Sequence, residues 1–194
     1  GTMVPRDELE RFVRELPNHV VCVIDEAYIQ FADPAQRPNV RSMIASAAAR
    51  VIVLRTFSKF FALSGLRIGY ACASEETVSL LARGEIPFCV NSPAVTAVPA
   101  VLGDLAFRQK VFDGNARGRE QLYSGLSSLD IGFQPSQTNF VLFECPTDPA
   151  RLRADLQERG LILPNVDQFL RNYSVLAIGT PEHNDMVLEA LGRY

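Results

Sequence analysis

Apolar residues come in two rhythms along this chain, and the change from one to the other marks out its elements. Unbroken runs at His19-Val20-Val21-Cys22-Val23-Ile24 and Val51-Ile52-Val53-Leu54 have the length and β-branched content of strands buried on both faces of a parallel sheet. Between them, beyond a loop from Phe31 to Asn39 that carries Pro34 and Pro38, Val40, Met43, Ile44 and Ala47 recur at helical spacing. Strand, helix, strand reads as a right-handed βαβ unit, which brings the carboxyl ends of both strands to one edge of the sheet. Ahead of it, Leu9, Phe12, Val13 and Leu16 predict an amphipathic helix between Pro5 and Pro17.

A further β-prone run follows from Ile68 to Ala73. Ser74, with Glu75 and Glu76 behind it, caps a helix that Gly84 stops. Ile86 to Ser92 reads as extended, a helix starts near Pro93, and a long helical tract weakened by Gly114, Gly118 and Gly125 runs from Asp104 to Leu129. That tract is expected to be an arm joining two domains. From Ile131 the elements shorten: a strand at Asn139–Glu144, a helix opened by Asp148 and Pro149 and closed by Gly160, strands at Leu161–Leu163 and Val175–Ile178, and a last helix capped by Thr180 that carries Met186, Val187, Ala190 and Leu191. The predicted fold is α/β. Residues 1–104 form part of a mostly parallel large-domain sheet with helices, and residues 105–194 form the connecting helix and a small α+β C-terminal domain.

Candidate chemistry sits at the strand ends. Lys59 lies just past the Val51 strand, where open α/β sheets place their ligands, within Thr56-Phe57-Ser58-Lys59-Phe60-Phe61. Flanking phenylalanines would desolvate the amine, lower its pKa and make it nucleophilic enough for a Schiff base with a carbonyl. A lysine snorkelling beside a core strand is the plain alternative. Thr56, Ser58 and Arg67 are group types that hold a phosphate dianion. Asp25 and Glu26 close the other strand, where two acids are costly unless something there needs negative charge, as a protonated pyridine nitrogen does.

Composition removes whole classes of partner. The 194 residues are 47% hydrophobic, enough for a packed core, and a net charge of −3 with no Lys/Arg block argues against nucleic acid or an anionic membrane. With only His19 and His183 a histidine-rich metal site is unavailable, and no metal is expected. Cys22, Cys72, Cys89 and Cys145 are scattered without a Cys-x-x-Cys pair, as free thiols of a reducing cytoplasm are. No apolar run approaches a membrane span, and the N-terminus carries no signal-peptide pattern.

Taken together, Asp25-Glu26-Ala27-Tyr28, Arg55-Thr56-Phe57-Ser58-Lys59, Gly65-Leu66-Arg67-Ile68-Gly69-Tyr70, Asn139-Phe140-Val141-Leu142 and Ile178-Gly179-Thr180 resemble the fold type I aminotransferases that use pyridoxal 5′-phosphate, within them the histidinol-phosphate aminotransferase group. The likeness covers nearly the whole chain. It implies a large domain that binds pyridoxal phosphate, and amino transfer from a donor, glutamate by the resemblance, to a small oxo acceptor through a Lys59 Schiff base. In that reading Lys59 is also the general base, Asp25 keeps the pyridine nitrogen protonated, Tyr28 donates to the phenolic oxygen, and Ser58, Arg67 and Thr56 grip the phosphate. Glu26 is left as structural. The resemblance further implies a cytoplasmic homodimer. A lyase, decarboxylase or cyclase on the same scaffold, or a non-catalytic fragment, are the alternatives.

Two departures stand out. Leu163 and Val175 occupy places where the family offers arginines to clamp the substrate, and Arg171 is the candidate substitute. Gly1-Thr2 with Val4-Pro5 is similar to the tail of the family's Asn-Pro-x-Gly-Thr segment, a cloning remnant being the other reading. The fully apolar Val20–Ile24 strand also calls for parallel neighbours that the residues before it do not supply. The chain is therefore expected to be the C-terminal part of a longer enzyme.

Overall fold

A computed structural model of the chain describes residues 1–166 and 168–194. These divide into two compact units, Val4–Lys110 and Gly1–Met3 with Val111–Tyr194. In the first unit, helix α1 (Arg6–Glu15) precedes strand β1 (Val21–Asp25), helix α2 (Val40–Ser46) returns the chain to strand β2 (Arg50–Thr56), and strand β3 (Gly69–Cys72) follows. The sheet order is β1-β2-β3. β1 runs parallel to β2 with Val21 opposite Arg50 and Asp25 opposite Leu54, whereas β3 is antiparallel, with Arg55 opposite Tyr70 and Thr56 opposite Gly69. Helices α3 (Glu75–Ala82) and α4 (Ser92–Gly103) complete the unit, and α5 (Leu105–Ser128) runs on from it.

One face of this sheet is closed by a core of Val13 from α1, Met43 from α2, and Val51 and Val53 from β2, with Leu9, Cys22, Ile24 and Cys72 packed against it. β2 meets the expectation of burial on both faces, since Val51, Ile52 and Val53 are all buried. β1 does not. Cys22 and Ile24 turn to the core, but Val21 and Val23 stay 55% and 56% exposed, because among the described residues only one face of β1 is covered and the period-2 pleat sends alternate side chains to the other. Phe12 likewise stands 55% exposed beside the fully buried Val13, so the apolar stripe of α1 is narrower than its sequence predicts.

In the second unit, β4 (Phe133–Gln134), β5 (Phe140–Glu144) and β6 (Tyr173–Ala177) form an antiparallel sheet in that order, with Phe133 opposite Phe143 and Phe140 opposite Ala177. Leu122 and Leu126 of α5, Leu152 and Leu156 of α6 (Pro149–Gln157) and Leu191 of α7 (Pro181–Leu191) pack on Val141, Phe143 and Leu176. This is the small α+β unit the sequence predicts. Helix starts are set locally: Ser74, Asp148 and Thr180 accept from the backbone N–H of Thr77, Arg151 and His183, each cap contributing about 1 kcal/mol.

The strand expected at Leu161–Leu163 does not form. Gly160, at φ 77°, reverses the chain, and the Leu161 N–H is drawn back to the Leu156 carbonyl at 3.0 Å to close α6, so it is not available to a ladder. Ile162 then faces solvent.

Phe143 has no exposed surface and centres the second core. Phe143→Ala is expected to lower unfolding free energy by about 3–5 kcal/mol in urea titration, and a loss below 1 kcal/mol would contradict that packing.

Candidate active site

Beyond Thr56 the chain makes a long loop before entering β3, and backbone bonds hold it closely. Phe57 N–H donates to the Ile68 carbonyl at 3.1 Å, one rung past the ladder, Leu63 N–H to the Phe57 carbonyl at 3.0 Å, and Ala62 N–H to the Lys59 carbonyl at 3.1 Å. The Thr56 hydroxyl accepts from Ser58 N–H at 3.0 Å and donates to the Ile68 carbonyl at 3.4 Å. Ala62 and Arg67 take left-handed backbone angles, φ 57° and 49°, a conformation that costs a non-glycine residue energy and persists only where its surroundings impose it.

Phe57, Phe60 and Phe61 are the imposing groups. All three are buried, with ring centroids 5.1 Å apart for Phe57 and Phe61 and 5.3 Å for Phe60 and Phe61, and Phe31 meets Phe60 edge-on at 5.2 Å. They turn inward and send Lys59 outward. The expectation that they desolvate the amine is corrected accordingly: Lys59 is exposed, and its neighbour is the ring of Tyr28, whose centroid lies 5.2 Å from Nζ.

Tyr28 and Asp25 reach this point from the end of β1. Asp25 Oδ1 accepts from Ala27 N–H at 2.9 Å, which bends the chain out of the sheet, and a single 3-10 turn at Ile29–Phe31 follows, leaving Asp25 exposed and Tyr28 half-buried. Since β1 and β2 are parallel and adjacent, Asp25 and Lys59 emerge at the same edge. Arg67 stands exposed at the far end of the lysine loop, its Nη1 donating to the Ser64 carbonyl at 2.7 Å. Gly69 opposes Thr56 so closely that a Cβ there would come within 2.7 Å of the Arg55 carbonyl oxygen. Lys59, Tyr28, Asp25, Thr56, Ser58 and Arg67 all belong to the first unit. Arg171 belongs to the second, exposed in the turn before β6, while Leu163 and Val175 are half-buried, Val175 opposite Leu142 in the sheet.

Sequence reasoning passed over one pair. Glu26 is 5% exposed, and its Oε2 accepts from both Nε and Nη2 of Arg55, each at 2.8 Å. Burial works against the Arg55 charge, but hydrogen bonding with Tyr70 and Glu26 outweighs it and raises its pKa above the ordinary value. Arg37 is pulled the other way, lowered by burial and then by Arg55, while its guanidinium donates to the carbonyls of Ala32 and Gln30. The signal lay in the register, because Arg55 follows the residue opposite Asp25 and Glu26 follows Asp25 itself.

With this geometry in hand, comparison with known proteins gives a direct result. Residues 1–191 match the family model for aminotransferase class I and II. The chain belongs to that family. Among its relatives, histidinol-phosphate aminotransferase 1 of Thiobacillus denitrificans is 38% identical over 193 residues, covering 99% of this chain and 50% of that protein. The enzyme of the same name from Cupriavidus pinatubonensis is 39% identical over 197 residues, covering 100% of this chain and 52% of its own length. The crystal structure of histidinol-phosphate aminotransferase from Sinorhizobium meliloti in complex with pyridoxal-5′-phosphate superposes with a TM-score of 0.87 at 27% identity, covering 100% of this chain and 53% of that one. The chain thus spans about half the length of the curated relatives it matches.

The aminotransferase loop depends on the Thr56 hydroxyl. Thr56→Ala removes both of its hydrogen bonds and is expected to lower unfolding free energy by about 1–2 kcal/mol, with Thr56→Ser restoring most of it. Equal urea midpoints for the alanine and parent proteins would show that the loop is held without it.

Proposed function

We propose that this chain carries the lysine-bearing part of a pyridoxal-phosphate-dependent aminotransferase of the histidinol-phosphate type, which passes an amino group from a donor amino acid, glutamate, to a small oxo acceptor. The observation that supports it most is the Lys59 amine poised over Tyr28, with Asp25 at the end of the adjoining parallel strand. Relatives named for histidinol-phosphate aminotransfer, and a structural neighbour solved with pyridoxal phosphate, point the same way.

The donor set fits that cofactor. Arg67 uses one N–H on Ser64 and keeps others for a phosphate dianion, to which the hydroxyl of Ser58, a residue whose backbone N–H is held by Thr56, would add a donor. Asp25 offers a carboxylate to a ring nitrogen, Tyr28 a phenol to a ring oxygen, and Lys59 an amine to an aldehyde. When bound, the cofactor supplies an electron sink that lets an amino acid give up its Cα proton. Lys59 Nζ would then be the base that takes this proton and returns it, with the Tyr28 ring under the ammonium limiting where that nitrogen travels. The Asp25 carboxylate, fixed by Ala27 N–H, holds a positive charge on the ring nitrogen. Arg171 serves as the carboxylate clamp that Leu163 and Val175 cannot make. A homodimer and a cytoplasmic setting belong to the same proposal.

Loading the protein, expressed from its whole reading frame, with pyridoxal phosphate is expected to give a visible absorbance band and oxo-acid formation from glutamate. Lys59→Ala is expected to abolish the band and lower kcat by about 10²–10⁴-fold, and a parental band in Lys59→Ala would remove the lysine from its role. Release of carbon dioxide in place of an oxo acid would favour the decarboxylase reading. Arg171→Ala is expected to raise KM for glutamate at least about tenfold, the value of a charged hydrogen bond; an unchanged KM assigns the clamp elsewhere.

A further inference from the structure

Glu26 and Arg55 lie one residue beyond the Asp25–Leu54 rung, on the face of the sheet that α1 and α2 cover. Their contacts reach across the strand ends. Glu26 N–H donates to the Leu54 carbonyl at 2.9 Å, extending the parallel ladder past Asp25, while its side chain takes two N–H groups of Arg55 on one oxygen. Arg55 stands opposite Tyr70 in the antiparallel pairing of β2 with β3, and Tyr70 packs its ring 5.7 Å from Phe57. A continuous line of side chains thus ties β1, β2 and β3 together at the edge from which Asp25 and Lys59 emerge. Glu26 immediately follows Asp25; Arg55 immediately precedes Thr56, whose hydroxyl holds Ser58 N–H.

The pair is also poorly suited to be a simple stabiliser. Glu26 Oε1 is buried without a hydrogen-bond partner, and Arg37, lowered first by burial and then by Arg55, adds a second guanidinium within Coulomb reach of Glu26. A buried pair that satisfies only one of two carboxylate oxygens recovers little of its desolvation cost, and apolar residues of similar volume would stabilise the fold as well or better. What apolar residues lack is direction: the guanidinium fork fixes distance and angle between the two strand ends at once.

We propose that Glu26 and Arg55 are positioning residues for the reaction, setting the separation of the Asp25 carboxylate from the Lys59 amine by locking the end of β1 to the end of β2. This rests on the aminotransferase reading of the same site. Neither residue touches substrate or cofactor, so the pair acts through Asp25 and the lysine loop, and its loss shows in the chemical step more than in substrate binding.

The experiment uses the protein expressed from its whole reading frame and loaded with pyridoxal phosphate. The double variant Glu26→Leu with Arg55→Met removes both charges together and leaves no orphan in the core, while Glu26→Gln keeps the shape and one hydrogen bond. Folding is checked by melting temperature and circular dichroism. The expected result is a folded double variant in which kcat drops by about 10–10²-fold with KM changed less than about threefold, the loss that a misplacement of about 1 Å gives. The pH at which the visible absorbance changes midpoint is expected to move as well, and Glu26→Gln to show the same shifts in smaller measure. Should the double variant fail to fold, Glu26→Gln decides alone. A folded variant with parental kcat and parental pH midpoint overturns the positioning role while leaving the aminotransferase reading intact. A parent protein with neither visible band nor oxo-acid formation overturns that reading, and the positioning role with it.

Discussion

Everything at the candidate site depends on the parallel pairing of β1 with β2. Parallel strands start and stop together only when a crossover returns the chain to the same end, and α2 provides it between Ala32 and Arg50. The register, Asp25 opposite Leu54, then decides which residues leave the sheet side by side. A slip of one residue would exchange every side chain between faces, burying Asp25 against α1 and α2 and turning Glu26 to the open side. Apolar Cys22, Ile24, Val51 and Val53 on the covered face resist that slip, so packing along the sheet fixes which acid leaves it exposed at the edge where the lysine loop begins.

Seen this way, the two faces of the sheet divide the work. On the covered face lie the core and, at its end, the Glu26–Arg55 pair; on the open face lie Val21, Val23, Asp25 and Leu54. Glu26 and Asp25 are chemically similar neighbours, yet one is 5% exposed and held by a guanidinium while the other is exposed with a backbone N–H on one oxygen. The pleat alone makes the difference. It allows a carboxylate with free capacity toward a ligand to sit one peptide away from a carboxylate committed to the scaffold.

Much of the fold is legible in the residues, because many of its determinants are local. Ser74, Asp148 and Thr180 announce helix starts by offering an oxygen to a backbone donor three residues on, and the β-branched runs at Val21 and Val51 announce strands. The misses share one cause, which is that local pattern does not say what lies alongside. Phe12 has helical spacing with Leu9 and Val13 but no cover, and Leu161–Leu163 is apolar but spends its first donor closing a helix. At the site, Lys59, Asp25 and Tyr28 could be picked from sequence by residue type and position. The direction of the phenylalanines could not, nor could the partner of Glu26, since both depend on cross-strand neighbours rather than on spacing within a strand.

The phenylalanines show how an exposed lysine can still be held in place. A flexible amine in water populates many rotamers, and each must be frozen out before it can act on a single carbon atom. Here the restriction comes from both sides of the residue: Phe57, Phe60 and Phe61 anchor the backbone in the core, Ala62 and Arg67 accept left-handed angles to keep the loop closed, and the Tyr28 ring lies under the ammonium and attracts it. The entropic cost is therefore met at folding, by burying three aromatic side chains, each worth about 1.5–3 kcal/mol. The strain of two left-handed residues, about 1–3 kcal/mol each, is smaller than that total. The aromatic cluster thus anchors the loop in the core and leaves Lys59 exposed, at the sheet edge from which Asp25 also emerges.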